Sequence, residues 1–245
     1  MIHFVGSGPG AADLITVRAA RMLADCAVCL YAGSLVPADV LAHCPPQARM
    51  IDTANLTLDE IIATMVEADH AGLDVVRLCS GDPSVFSAVA EQVRRLERAG
   101  IGYDITPGVP AFAAAAAVLG RELTVPGVGQ SVVLTRIAQR ATSMPAGEAL
   151  RAFAVTGATL VLHLAVQAID EVVEQLHPHY GADCPVAVVA RASRDDELVL
   201  RGTLNTIAAA VHDAGVRRTA VIIVGQTLAA EQFSDSHLYS ATRAR

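Results

Sequence analysis

The chain contains no tryptophan, and aromatic residues make up 4% of its 245 positions. With 53% hydrophobic and 18% charged residues it is an ordinary globular chain rich in alanine and valine, and disorder is excluded. No long apolar run is present: the most apolar stretch, Ala111–Leu119, is far too short to span a bilayer. Residues 1–10 have neither a basic n-region nor a long apolar core, so no secretory leader is expected and the protein is expected to be cytoplasmic, with no membrane partner. Blocks of basic residues are missing too. The 18 Lys and Arg stand singly or in pairs against 25 Asp and Glu, with a formal net charge of −7. That excludes a nucleic-acid patch, and an anionic ligand would have to be met by a few local arginines or histidines. No short-period repeat and no low-complexity tract is visible.

Cysteine is sparse: Cys26, Cys29, Cys44, Cys79 and Cys184. An odd count without a secretion signal argues for free thiols. Cys26 and Cys29 spell CxxC, but a metal site would need a second pair, and no second CxxC or HxxxH exists. No metal is expected. A redox motif would sit at a helix N-terminus, whereas this pair lies in CAVCLYA, which reads as a buried strand over 26–32. Strand residues i and i+3 point to opposite faces, so the two are expected to be structural core thiols pointing apart.

What is present alternates strand and helix. Residues 3–5 form a short strand ending at Gly6-Ser7-Gly8-Pro9-Gly10, and Asp13 is expected to open a helix to about Leu23. Thr57 and Glu60 form a capping box for a helix to His70, with Gly72 behind it. Strands follow at Val75–Cys79 and Tyr103–Thr106; Gly81-Asp82-Pro83 leads into a helix ending near Gly100, and Pro107-Gly108-Val109-Pro110 into an alanine-rich helix ending at Gly120. Continuous apolar strands imply a parallel sheet covered on both faces. Val125-Pro126-Gly127-Val128-Gly129 is the natural hinge. Beyond it, strands are expected at 132–137, 159–164, Pro185–Ala190, 197–200 and Ala220–Val224, and helices near 148–155, 167–176 and 203–213. Adjacent strands without a helix between them make this second sheet mixed. The expected organisation is α/β with two domains: 1–122, a hinge at 123–129, and 130–245.

The first loop fits G-x-G-x-x-G/A through Gly6, Gly8 and Ala11. A dinucleotide site also needs an acid at the end of the second strand. That strand ends Leu30-Tyr31-Ala32-Gly33-Ser34, Asp25 precedes it and Asp39 comes too late. Pro9 removes one backbone donor as well. A nicotinamide oxidoreductase is therefore disfavoured, and a ligand-free strand-to-helix turn remains the bland reading. Three further loops belong to the same sheet rim: YAGSLV at 31–36, SGDPSVF at 80–86 and TPGVPA at 106–111. Their small residues allow a flat ligand close to the backbone.

Taken in order, these motifs resemble the tetrapyrrole methylases that use S-adenosylmethionine. The resemblance continues through LTR at 134–136, LVLHL at 160–164 and PVAVVARAS at 185–193, and so runs the whole chain. YAGSLV favours the corrin-pathway branch of the family. Departures are small: Ala11-Ala12 stand where many members read Asp-Pro, and Phe86-Ser87 where many read Tyr-Gly. The second departure affects the shape expected for the substrate trough.

The resemblance implies two α/β domains, mostly parallel and mixed in their sheets, flanking a trough that holds folded S-adenosylmethionine, in a homodimer acting on a reduced tetrapyrrole. Carried over by position, the cofactor contacts are Pro9, Ser80, Gly81, Asp82, Val85, Pro110, Ala111, Leu164, Ala192 and Ala220; Gly8, Tyr31, Ser34 and Arg136 are assigned to substrate. Each has a structural rival. Asp82-Pro83 reads equally as a helix N-cap with proline at N1, Pro110-Ala111 as a helix start, and Leu164 and Ala192 as core. His163 on its apolar strand reads first as a satisfied buried histidine, and Arg136 as a solvated strand end or a bidentate grip on a carboxylate. Arg191 and Arg194 are weaker candidates. No His/Asp or Cys/His constellation offers an obligatory base. Competing functions are another methylase of this fold acting on uroporphyrinogen, a protein side chain or ribosomal RNA, the oxidoreductase above, and a non-catalytic binding module.

Overall fold

The computed structural model describes residues 1–138 and 142–237, apart from the side chain of Ser34. The chain divides into two compact units, Met1–Ala114 and Ala115–Arg245. The first carries β1 (Ile2–Gly6), α1 (Val17–Asp25), β2 (Val28–Tyr31), α2 (Ala38–Leu41), β3 (Arg49–Asp52), α3 (Leu58–His70), β4 (Val75–Cys79), α4 (Val89–Arg98) and β5 (Tyr103–Thr106). Helix α5 (Ala111–Leu119) contains the division between the units.

The first sheet has the order β3-β2-β4-β1-β5, and every neighbouring pair is parallel. Successive side chains go to opposite layers, which is why these strands are apolar throughout. Ile2, Phe4, Val28 and Leu30 pack with Met65 of α3 on one face. Val5, Cys29, Val76 and Leu78 pack with Ala19 and Leu23 of α1 on the other. Each such side chain is worth roughly 1.5–3 kcal/mol of transfer free energy.

Three local expectations are corrected. Asp13 does not open α1: 12–14 make a single 3-10 turn, Ile15 and Thr16 are extended, and the Thr16 hydroxyl accepts from the Ala19 N–H at 3.1 Å as N-cap. The threonine oxygen satisfies an otherwise orphan amide and so places the start. The helix after Gly81-Asp82-Pro83 begins only at Val89, preceded by Ala88 at φ 52°. Strand 26–32 shrinks to Val28–Tyr31, so Cys26 precedes the pleat; Cys26 and Cys29 lie in the same core layer and do not point apart. The capping box of α3 is present in full, with Thr57 and Glu60 bonded reciprocally.

One polar side chain interrupts the first core. Arg77, in the middle of β4, is 8% exposed. Its Nε donates to Gln92 Oε1 at 3.3 Å and its Nη1 to Thr53 Oγ1 at 3.1 Å. Burial pulls the guanidinium below its ordinary value, but an arginine keeps its charge there.

The second unit carries β6 (Val132–Arg136), α6 (Leu150–Ala154), β7 (Thr159–His163), α7 (Ile169–Tyr180), β8 (Pro185–Ala190), β9 (Leu198–Thr203), α8 (Ile207–Asp213) and β10 (Ala220–Val224). Its sheet runs β6-β7-β10-β8-β9; β6 and β7 are parallel, and the other neighbours are antiparallel. The expected mixed sheet is present. Strand β9 pairs with β8 as far as Thr203, which pushes α8 back to Ile207 from the expected 203. Leu160, Leu162, Ile169, Val188, Ile207 and Ile222 form its core. Residues 125–129 close a tight turn, in which the Val125 N–H donates to the Gly129 carbonyl at 2.7 Å and Gly127 has φ 74°. No helix among the described residues is long and apolar enough to cross a membrane.

Candidate active site

In the first unit the chain leaves β1 for β2 on one side of the sheet and leaves β4 for β5 on the other. The carboxyl ends of β1 and β4 therefore flank a topological switch point, the place where open α/β sheets bind ligands. The loops there meet backbone to backbone. Ser7 N–H donates to the Cys79 carbonyl at 2.8 Å, Gly8 N–H to Gly81 O at 3.2 Å, and Gly81 N–H to Gly8 O at 2.9 Å. A Cβ on Gly108 would lie 2.2 Å from Gly81 O, and one on Gly6 2.5 Å from Gly108 Cα. Only glycine permits this approach. The Ser7 and Gly8 amides are consumed and Pro9 has none, so this loop does not offer the row of free N–H groups that cradles a pyrophosphate.

Asp82 joins two of these loops. Its Oδ1 accepts from the Ser84 N–H at 2.8 Å and from the Ser84 hydroxyl, and its Oδ2 accepts from the Gly108 N–H at 2.8 Å. The N-cap rival fails, because no helix starts here. Burial alone would raise this carboxyl, but the Ser84 hydroxyl and the Gly108 and Ser84 amides outweigh it and hold the group below its ordinary value. Ser87 Oγ donates back to the Asp82 carbonyl at 2.9 Å and to the Val85 carbonyl at 3.1 Å. The turn is completed by Phe86 and Ala88 at φ 51° and 52°. Ala111 does begin α5, with the Pro110 carbonyl accepting from Ala113.

Tyr31 ends β2, and its carbonyl accepts from the Thr53 hydroxyl at 2.9 Å. That same hydroxyl accepts from Arg77. A buried cation thus fixes the strand end that carries Tyr31. Sequence reading missed it, since a lone arginine inside an apolar strand carries no motif. The Ser34 side chain lies outside the described residues.

In the second unit the candidates also gather at one sheet end. Arg136 is in register with His163, Leu162 with Ile222, and Ala190 with Ala220. Leu164, Ala192 and Arg136 therefore follow or end strands at the edge where Ala220 begins one. Leu164 is 67% exposed, so its reading as a core residue fails; Ala192 is buried. Leu164 has φ 54°, Arg191 52°, Ser193 68° and Thr219 55°. The Arg191 N–H donates to the Thr219 carbonyl at 2.8 Å, its guanidinium pairs with Asp196 at 2.6 Å, and the Ser193 N–H donates to Glu197 Oε2 at 2.7 Å. Arg136 Nη2 donates to the Thr142 carbonyl at 2.8 Å. Burial keeps His163 below its ordinary value, hence neutral near pH 7, and lowers Arg194 in the same way.

Every non-glycine residue with positive φ among the described residues lies in these rim loops: Phe86, Ala88, Leu164, Arg191, Ser193 and Thr219. Such conformations cost of order 1–3 kcal/mol and concentrate at ligand sites. None of them was legible in the sequence.

Carboxyl-end loops at a switch point, glycine-to-glycine contacts and strained turns define an α/β enzyme that takes its ligands at strand ends. The family model of the tetrapyrrole (corrin/porphyrin) methylases matches residues 1–208, and the chain belongs to that family. It is 66% identical over 244 residues to the precorrin-4 C(11)-methyltransferase of Rhodococcus erythropolis, covering 100% of this chain and 98% of the relative. The structure is similar to that of a cobalt precorrin-4 methyltransferase of cobalamin biosynthesis, with TM-score 0.90, 37% identity, and 93% and 95% of the two chains covered. It is also similar to uroporphyrin-III C-methyltransferase from Thermus thermophilus complexed with S-adenosylhomocysteine, with TM-score 0.78, 28% identity, and 93% and 98% coverage.

Proposed function

We propose that this chain is an S-adenosylmethionine-dependent methyltransferase that places a methyl on C-11 of precorrin-4, giving precorrin-5 in cobalamin biosynthesis, as a cytoplasmic homodimer without a resident metal. The carrying observation is 66% identity, end to end, to a protein of that activity. The metal-free substrate is favoured over the cobalt form because precorrin-4 methyltransferase relatives are 51% to 66% identical to this chain, whereas cobalt-precorrin-4 relatives are 37% and 44% identical.

The residues present fit the methyl donor. The rim loops are built of small residues whose backbones only glycine lets approach, and the consumed amides of Ser7 and Gly8 argue against a dinucleotide. We assign donor contact to Pro9, Ser80, Gly81, Asp82, Val85, Pro110 and Ala111 of the first unit and to Leu164, Ala192 and Ala220 of the second. Asp82 has both oxygens engaged, so its part is to hold the Gly81 and Gly108 loops in place. Gly8, Tyr31, Ser34 and Arg136 are assigned to the tetrapyrrole. The chain contains no lysine, so the carboxylates of the substrate would be gripped by arginines, which bind them bidentately.

S-adenosylmethionine supplies a methyl on a sulfonium, already a good leaving group. What the protein adds is placement: the rim loops orient donor and ring carbon, and exclude water. Such placement is worth up to about 7–11 kcal/mol. Burial holds His163 below its ordinary value, so it takes up a proton less readily than a free imidazole.

The test is incubation with methyl-labelled S-adenosylmethionine and precorrin-4, followed by NMR of the product. Label at C-11 is the expected result. Label at another ring carbon, or S-adenosylhomocysteine formed faster from cobalt-precorrin-4 or uroporphyrinogen III, would move the chain to the corresponding relative's activity. No S-adenosylhomocysteine with any tetrapyrrole would reduce it to a binding module.

A further inference from the structure

Outside the rim, the first unit gathers three thiols in its core layer against α1. Cys26 Sγ lies 3.9 Å from Cys44 Sγ, and the Cys29 thiol interacts with both. Cys26 and Cys29 are buried, at 3% and 0% exposure, whereas Cys44 is half-buried. Cys44 stands in the loop between α2 and β3, its N–H bonded to the Leu41 carbonyl. Among the described residues no group of three or more His, Cys, Asp or Glu side chains is arranged to hold a metal ion, so a metal does not explain the cluster.

The roles within it are unequal. Hydrogen bonds from Cys26 and then Cys29 hold the Cys44 thiol below its ordinary value despite partial burial. Cys29 is raised by its bonds to Cys26 and Cys44 and by burial. At Cys26 the Cys29 bond lowers the thiol, but the bond to Cys44 and burial outweigh it and raise it to about 11. The two remaining cysteines, Cys79 and Cys184, are buried and each pushed up to about 11, chiefly by burial. The thiolate is the reacting species, so reactivity follows exposure and charge.

We propose that Cys44 and Cys26 form a thiol–disulfide exchange site, reversibly closed by low-molecular-weight disulfides such as oxidised glutathione. The Cys44 thiolate attacks one sulfur of the disulfide, forming a mixed disulfide and expelling one thiolate. Cys26 then loses its proton to that thiolate or to solvent and attacks the Cys44 sulfur. The second small thiol leaves, and the Cys26–Cys44 bond forms. Two protein thiols are oxidised and one disulfide is reduced to two thiols, which balances. The sulfurs must close from 3.9 Å to about 2 Å, a movement available to Cys44 because it stands in a loop. The bond would enclose β2, the YAGSLV segment and α2 between residues 18 apart. The exchange chemistry is independent of the methyltransferase reading.

The full reduced chain is incubated with oxidised glutathione, free thiols are alkylated, and peptides are mapped by mass spectrometry. The expected result is loss of two of the five thiols, a Cys26–Cys44 crosslinked peptide, and full recovery with dithiothreitol. Cys26→Ser should halt at a stable Cys44–glutathione adduct, and Cys44→Ser should consume no thiol. Five intact thiols in the native chain, first reaction at Cys79 or Cys184, or a Cys29–Cys44 crosslink would each overturn the proposal. The wild-type map decides even if a variant fails to fold.

Discussion

The two units build their rims by opposite means. The first uses glycine wherever its backbone turns left-handed beside β1, β2 and the start of the β4 loop: Gly8 at φ 72°, Gly33 at 47° and Gly81 at 69°. The second uses Leu164, Arg191, Ser193 and Thr219 for the same backbone region. A left-handed non-glycine residue costs roughly 1–2 kcal/mol, so the second rim stores strain that its antiparallel strands must hold. The first rim stores little, except at Phe86 and Ala88, where the loop after β4 also departs from glycine. Close packing shapes one rim, and a rigid sheet forces the other into shape.

The largest effect should come from adding one carbon to the first rim. Gly108→Ala puts a Cβ against Gly81 O without any φ penalty, and should cost about 3 kcal/mol. A shift of the urea midpoint to lower concentration measures it; an unchanged midpoint would mean the loops separate freely and the packing account is wrong.

Next is Asp82→Ala, which removes acceptors from Ser84 and Gly108 and should cost about 2 kcal/mol. The Asp82 carboxyl is held below its ordinary value, so its contribution is complete above about pH 4 and fades as pH falls through the lowered folded value. Unfolding at several pH values should show a constant gap between wild type and variant from about pH 5 to 8 that closes in stronger acid. A gap that closes at neutral pH would sink this assignment.

Gly72→Ala isolates the conformational part. Gly72 has φ 73°, and a Cβ added there would meet nothing within 4 Å, so the loss should be only about 1 kcal/mol, with methyl transfer unaffected. The smallest effect, and the one of opposite sign, belongs to the second rim. Leu164→Gly relieves strain at an exposed side chain and should raise stability by about 0.5 kcal/mol while slowing methyl transfer, because the turn loses its preorganisation. A variant that is both less stable and fully active would erase the contrast between the rims.

The glycine part of the first rim was legible for the same reason that it carries little strain. Gly6, Gly8, Gly81 and Gly108 are marked in the sequence because their backbones approach closely, and the missing acid after β2 already argued against a dinucleotide. The parallel sheet was readable from its uniformly apolar strands, and the mixed sheet from strands without an intervening helix. Helix starts were less legible: Thr16 and Ala88 displaced two of them, since an apolar pattern does not reveal where a cap or a left-handed residue interrupts it. Leu164 and Ala192 were found only through resemblance, and Arg77 and the Cys26–Cys44 contact not at all, because their partners lie 15 to 24 residues away.

By itself the amino-acid order determined the strand–helix alternation, the two kinds of sheet and the glycine loops, because period, capping and steric bulk act over a few residues. Only the tertiary structure decided that Asp82 ties two loops, that Arg77 is buried against Thr53, that thiols from separate segments touch, and that four ordinary residues of the second rim turn left-handed. Those outcomes depend on which strand ends become neighbours, and that is set by the cooperative burial of both sheets.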